Sequence, residues 1–98
     1  MNRQDAISIL RQHADTLRAR GVQHAALFGS VARGDNRPNS DIDILVDIDP
    51  AAGVTIFDYV ALTDYIANLF DERVDVIDRE ALKPHLRRTS VQDAVYAF

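Results

Sequence analysis

The sequence contains no cysteine and no tryptophan, and only one methionine, three prolines and four glycines in 98 residues. Without cysteine there is no disulfide, no thiolate metal ligand and no cysteine nucleophile, and a reducing cytoplasm is the expected compartment. The scarcity of proline and glycine excludes collagen-like and low-complexity chains. No apolar run approaches the roughly 20 residues of a membrane span. Met1-Asn2-Arg3-Gln4-Asp5 is not followed by the apolar stretch of about 7–15 residues that marks a secretory leader, so neither export nor a membrane is expected. An excess of positive charge is missing as well: 11 Lys and Arg face 15 Asp and Glu, a net charge of -4. What is present, 47% hydrophobic and 27% charged residues, is the composition of a folded chain, expected as one domain over residues 1–98. Its core is thin, because a chain of this length buries only roughly 60–68% of its unfolded surface.

The charges are unevenly distributed. Residues 1–34 carry five Arg and two Asp, residues 35–78 carry two Arg against ten Asp and one Glu, and residues 79–98 carry four basic and two acidic side chains. The acidic middle would repel phosphate, so direct nucleic-acid binding is not expected unless cations intervene.

Apolar periodicity predicts an amphipathic helix from Asn2 to Arg20, with Ile7, Leu10, Ala14 and Leu17 on one side and Gly21 as its stop. A strand is expected over Val22–Phe28, a single helical turn over Ser30–Arg33, and a turn-rich loop over Gly34–Ser40. Residues 41–49 alternate, placing Ile42, Ile44, Val46 and Ile48 on one face of a strand and Asp41, Asp43, Leu45, Asp47 and Asp49 on the other. A helix over Thr55–Phe70 is expected to bury Ile56, Tyr59, Val60, Thr63, Ile66, Ala67 and Phe70, followed by a strand over Arg73–Ile77. A break near Leu82 and a last helix from about Pro84 complete the chain. The fold class is therefore α/β (α+β): a small mixed three-stranded sheet with helices packed on one face, leaving the other face for a site.

Asp41 and Asp43 leave the same face of their strand roughly 6–7 Å apart and can converge on one cation. Asp75 can join them if its strand lies alongside. Three carboxylates with no His or Cys suit Mg²⁺ or Mn²⁺ rather than zinc, although ordinary exposed strand residues have the same pattern. Asp is a poor strand former, and its recurrence at 41, 43, 47 and 49 requires a cause. Upstream, Phe28-Gly29-Ser30 passes from a strand into a helical turn, where free N–H groups favour an anion; the same pair also reads as a plain N-cap. Gly29 and Gly34 have the glycine spacing of a P-loop, but Asp35-Asn36 stands where Lys-Ser/Thr is needed. An EF-hand from Asp41 would place Val46 where glycine is required.

Taken together, Leu27-Phe28-Gly29-Ser30-Val31-Ala32-Arg33-Gly34, then Ser40-Asp41-Ile42-Asp43-Ile44-Leu45-Val46, then Arg73-Val74-Asp75-Val76-Ile77 resemble the nucleotidyltransferases of the DNA polymerase beta superfamily. The resemblance is greatest to the minimal nucleotidyltransferase (MNT) family of prokaryotes, and the tail from Leu82 to Tyr96 is similar to that family's ending. It implies a polymerase-beta-like nucleotidyltransferase fold in which Asp41, Asp43 and Asp75 hold two Mg²⁺ ions and carry the catalysis. The resemblance further implies that Gly29 and Ser30 would bind the β- and γ-phosphates, with Arg33 and Ser40 in the same nucleotide site. By the same resemblance a hydroxyl would attack the α-phosphorus of ATP or another NTP, and pyrophosphate would leave.

A chain of 98 residues has room for the catalytic module and none for an acceptor domain, so the acceptor is expected from a partner. Relatives pair as antitoxins with HEPN-domain toxin proteins, in hetero-oligomers, and some transfer AMP to a toxin tyrosine; that is the function the resemblance implies. The alternative is a non-enzymatic antitoxin, a binding module that neutralises its partner by covering it. Arg79, Lys83, Arg87 and Arg88 are basic residues available for such a contact or for a solvated face.

Overall fold

A computed structural model describes residues 1–81 and 92–98. The elements run α1 (Arg3–Gln12), α2 (Ala14–Ala19), β1 (Val22–Phe28), α3 (Gly29–Arg33), β2 (Ile42–Ile48), α4 (Ile56–Ala67), β3 (Val74–Asp78) and β4 (Val95–Tyr96), with 3₁₀ turns at Pro50–Ala52 and Arg79–Ala81. The sheet is mixed, in the order β3-β2-β1-β4. β1 pairs antiparallel with β2 and with β4, whereas β2 and β3 run parallel, joined across one face by α4.

Alternation decides which face each side chain takes. Ala25 opposite Val46, Leu27 opposite Ile44 and Ile44 beside Val76 point to the helices. There Ala25, Leu27, Ile42, Ile44 and Val46 pack with Ala6, Leu10, Leu17, Val31, Leu62 and Ile66 in one cluster of buried residues. The opposite face carries Phe28 against Asp43 and Asp43 beside Asp75, so the acidic positions lie away from the core as the alternation predicts.

Four differences from the sequence-based reading have physical causes. The first helix is two: His13 adopts φ -108° and ψ 14°, ending α1 and opening α2, and its Nδ1 lies 3.1 Å from the Tyr65 hydroxyl. The bend lets Leu10 and Leu17 both bury completely against the sheet. In α4 the buried side is Leu62 and Ile66, continued by Phe70 just beyond its end, while Ile56 and Val60 are 71% and 52% exposed. This helix is apolar nearly all round, so periodicity alone does not choose its inner face. Thr55 is its cap and lies outside it. The sheet gains a fourth strand, β4, only two residues long, where a helix is expected; residues 92–93 are still helical. The expected helix from Pro84, the break at Leu82, and Lys83, Arg87 and Arg88 fall largely or wholly on residues outside those described.

Candidate active site

The site is built where β1 ends and β2 begins. β1 runs straight into α3, with Phe28 extended (φ -140°, ψ -179°) and making no side-chain cap, so no side chain of the cap residue occupies the leading N–H groups of this short helix. Gly29 opens it at φ +72°, a conformation that disfavours any side chain. The space is closed too: a Cβ at Gly29 would overlap a carboxylate oxygen of Asp43 and stand 3.3 Å from its Cγ. Glycine is thus what allows the phosphate-binding turn expected at Gly29-Ser30 to lie directly on the Asp43 carboxylate. Gly34, at φ +79°, ends α3 by taking the left-handed cap.

Asp43 and Asp75 are register partners on the parallel strands β2 and β3, and Asp41 precedes β2 on the same side. Asp41 and Asp43 are half-buried and Asp75 is exposed. Removal from water pushes the Asp43 carboxyl above the ordinary range, Asp75 and then Asp41 push it further by repulsion, and the Arg33 charge pulls against them. Asp43 thus stands between the other two acids named from the spacing, with Asp75 its register partner and Asp41 two residues before it. Among the described residues, no group of three carboxylate or imidazole side chains is gathered tightly enough to hold a metal with protein atoms alone. An oxygen-only set of mutually repelling carboxylates, open to solvent, fits Mg²⁺, which binds through one or two carboxylates and completes its shell with water and substrate phosphate.

Ser40 is part of the loop before β2, where its Oγ accepts from the Arg37 N–H at 2.8 Å and keeps its own O–H to donate. Arg73, at the mouth of β3, lies 3.9 Å from Asp41 but is 90% exposed, a pair of little energetic weight. Arg33 lies between Asp35 (3.2 Å) and Asp93 (3.9 Å). The sequence offers a local hint of the first contact, two residues on, and none of the second, which the fold alone creates. Arg79, expected to be exposed for a partner contact or on a solvated face, is half-buried and paired with Asp47 at 3.7 Å.

A small mixed sheet with a glycine-serine turn laid on an Asp-x-Asp strand and a third Asp in register defines a nucleotidyltransferase. The sequence profile of the nucleotidyltransferase domain family matches residues 10–97, and the chain belongs to that family, whose members are typically metal-dependent. It is 36% identical over 90 residues to the protein adenylyltransferase MntA of Thermococcus cleftensis, covering 91% of this chain and 89% of that protein. A solved structure assigned as a minimal nucleotidyltransferase superposes with a TM-score of 0.74 at 30% identity, covering 97% of this chain and 95% of the other. A toxin–antitoxin structure with AMP-PNP superposes at 0.68 with 26% identity, over 100% of this chain and 73% of that one. Among the described residues no helix is long and apolar enough to cross a membrane.

Proposed function

We propose that this protein is an adenylyltransferase that moves AMP from ATP to a hydroxyl of a HEPN-domain toxin, for which it is the antitoxin. The observation that carries this reading is the contact of Gly29 with the Asp43 carboxylate, in register with Asp75, which joins a phosphate-binding turn and an acidic cluster into one corner. The likeness to protein adenylyltransferase MntA supports the donor and the protein acceptor.

In this reading Asp41, Asp43 and Asp75 hold Mg²⁺, in two sites, with Mn²⁺ as a substitute. Mg²⁺ held there would neutralise charge on the triphosphate and would make the acceptor hydroxyl easier to deprotonate. The N–H groups of Gly29 and Ser30 hold the β- and γ-phosphates, with the Ser40 hydroxyl and Arg33 as further donors. The acceptor oxygen, losing its proton, forms a bond to the α-phosphorus while the bond from that phosphorus to the bridging oxygen breaks, releasing pyrophosphate. A corner this open cannot align a small acceptor unaided, and in-line transfer depends on alignment, so the partner's interface must present the hydroxyl.

Intact-mass spectrometry after incubation with ATP and Mg²⁺ tests this. The partner toxin is expected to gain AMP units on a hydroxyl side chain, with tyrosine favoured, whereas tRNA and aminoglycosides stay unmodified. Modification of either at comparable rate, with the toxin untouched, would overturn the choice of acceptor. Neutralisation of the toxin by Asp43→Asn protein with no transfer would favour the covering mode of action.

A further inference from the structure

Arg33, the last residue of α3, is hydrogen-bonded to one carboxylate and faces a second from a distant part of the chain. Its Nε donates to Asp35 Oδ2 at 3.2 Å, and its Nη1 stands 3.9 Å from Oδ2 of Asp93, in the segment that leads into β4. A guanidinium presents five donors in a rigid planar fork. Among the described residues its contacts are the Nε hydrogen bond and the looser Nη1 ion pair, and the Nη2 edge remains for a third acceptor. The fork also starts near the glycine-serine turn: Arg33 closes the five-residue helix α3 that Gly29 opens, one helical turn away. A half-exposed arginine left alone samples many rotamers and must lose that freedom when it binds an anion; one already braced has lost it beforehand.

We propose that Asp93 is a positioning residue for the nucleotide, bracing Arg33 together with Asp35 so that the free guanidinium edge meets a phosphate oxygen held at Gly29 and Ser30. This rests on the assignment of the Gly29-Ser30 turn to the triphosphate. Asp93 touches no phosphate itself. It couples the C-terminal segment to the phosphate site, so a partner that pulled on that segment would weaken nucleotide binding.

Calorimetry of Mg·ATP binding, which needs no transfer to occur, is the test, with steady-state AMP transfer alongside. Asp93→Asn is expected to raise Kd and KM for ATP by about two- to fivefold, the range an exposed pair supports, with a much smaller change in kcat. Asp93→Glu should restore most of the affinity, which separates loss of the carboxylate from misfolding. In an Arg33→Gln background, itself weak in ATP binding, Asp93→Asn should add nothing. Tighter binding by Asp93→Asn would show that Asp93 competes with phosphate for Arg33 and would overturn the proposal. An undiminished effect in the Arg33→Gln background would overturn it as well. ATP binding that ignores Arg33→Gln removes Arg33 from the phosphate site, and the proposal with it, while transfer to the toxin would stand. Failure of wild-type protein to transfer AMP while these affinities behave as expected would locate the fault in the acceptor chemistry.

Discussion

At the scale of single residues, Gly29 and Gly34 bracket α3 with the same left-handed backbone but different surroundings, and the difference separates strain from function. A Cβ at Gly34 meets nothing within 4 Å, whereas one at Gly29 meets the Asp43 carboxylate. Gly34→Ala should therefore cost only the conformational penalty, about 1–2 kcal/mol in denaturant unfolding, and leave transfer nearly intact. Gly29→Ala should pay a similar penalty and in addition displace Asp43, lowering kcat by roughly 100-fold or more. Asp43 gives the opposite pattern. Its carboxyl titrates above the ordinary range, so as pH rises through that raised pKa the folded state gains an unfavourable charge and apo stability falls. Asp43→Asn removes a like charge placed directly across from Asp75, which is worth about 0.2–1 kcal/mol. The metal-free variant should melt about 1–6 °C higher at neutral pH in a thermal scan, and transfer should be abolished. A lower melting temperature in the variant would contradict the repulsion.

At the scale of elements, α4 shows what patterning can and cannot reveal. Its start is well signalled: the Thr55 hydroxyl accepts from the Asp58 N–H at 3.1 Å while Asp58 accepts from the Thr55 N–H at 3.0 Å, a reciprocal capping box. Thr55→Ala should cost about 1 kcal/mol by chemical denaturation without touching activity. Hydrogen bonds from Thr55 hold the Asp58 carboxyl below the ordinary carboxylate range. The stabilisation is complete above the unfolded-state pKa and is lost as pH falls through the lowered folded value. Asp58→Asn should accordingly flatten the acid limb of a stability–pH profile and leave the neutral limb unchanged in slope. The inner face of α4 was not legible, because Ile56, Phe57 and Val60 are as apolar as the buried Leu62 and Ile66. β4 was illegible for another reason. Two residues carry no alternation, and Val95–Tyr96 becomes a strand only because Leu27 and Ala26 offer their free edge. By contrast, β2 was legible residue by residue, since Asp at alternate positions on an Ile/Val strand admits one assignment of faces. The shared face of the acidic residues followed from it, with Asp75 placed once β3 lay parallel to β2. Arg33 with Asp93 could be seen only after folding.

At the scale of the molecule, a thin core supports one acidic corner, open to solvent among the described residues. On the proposed reading the charge of that corner would make nucleotide and metal binding interdependent. Mg²⁺ and ATP together should raise the melting temperature by several degrees, and ATP in excess EDTA should not, because repulsion by Asp41, Asp43 and Asp75 is then uncompensated. On the proposed reading the same openness would make the partner part of the catalyst. The most direct measurement uses ATP labelled at the α-phosphate or at the γ-phosphate, incubated in parallel with Mg²⁺, the toxin and either wild-type protein or the Asp41→Asn, Asp43→Asn double variant. The account predicts that α-label appears on the toxin with wild-type protein, that γ-label leaves entirely as pyrophosphate, and that the double variant transfers neither. γ-Label on the toxin, or α-label undiminished in the double variant, would contradict it.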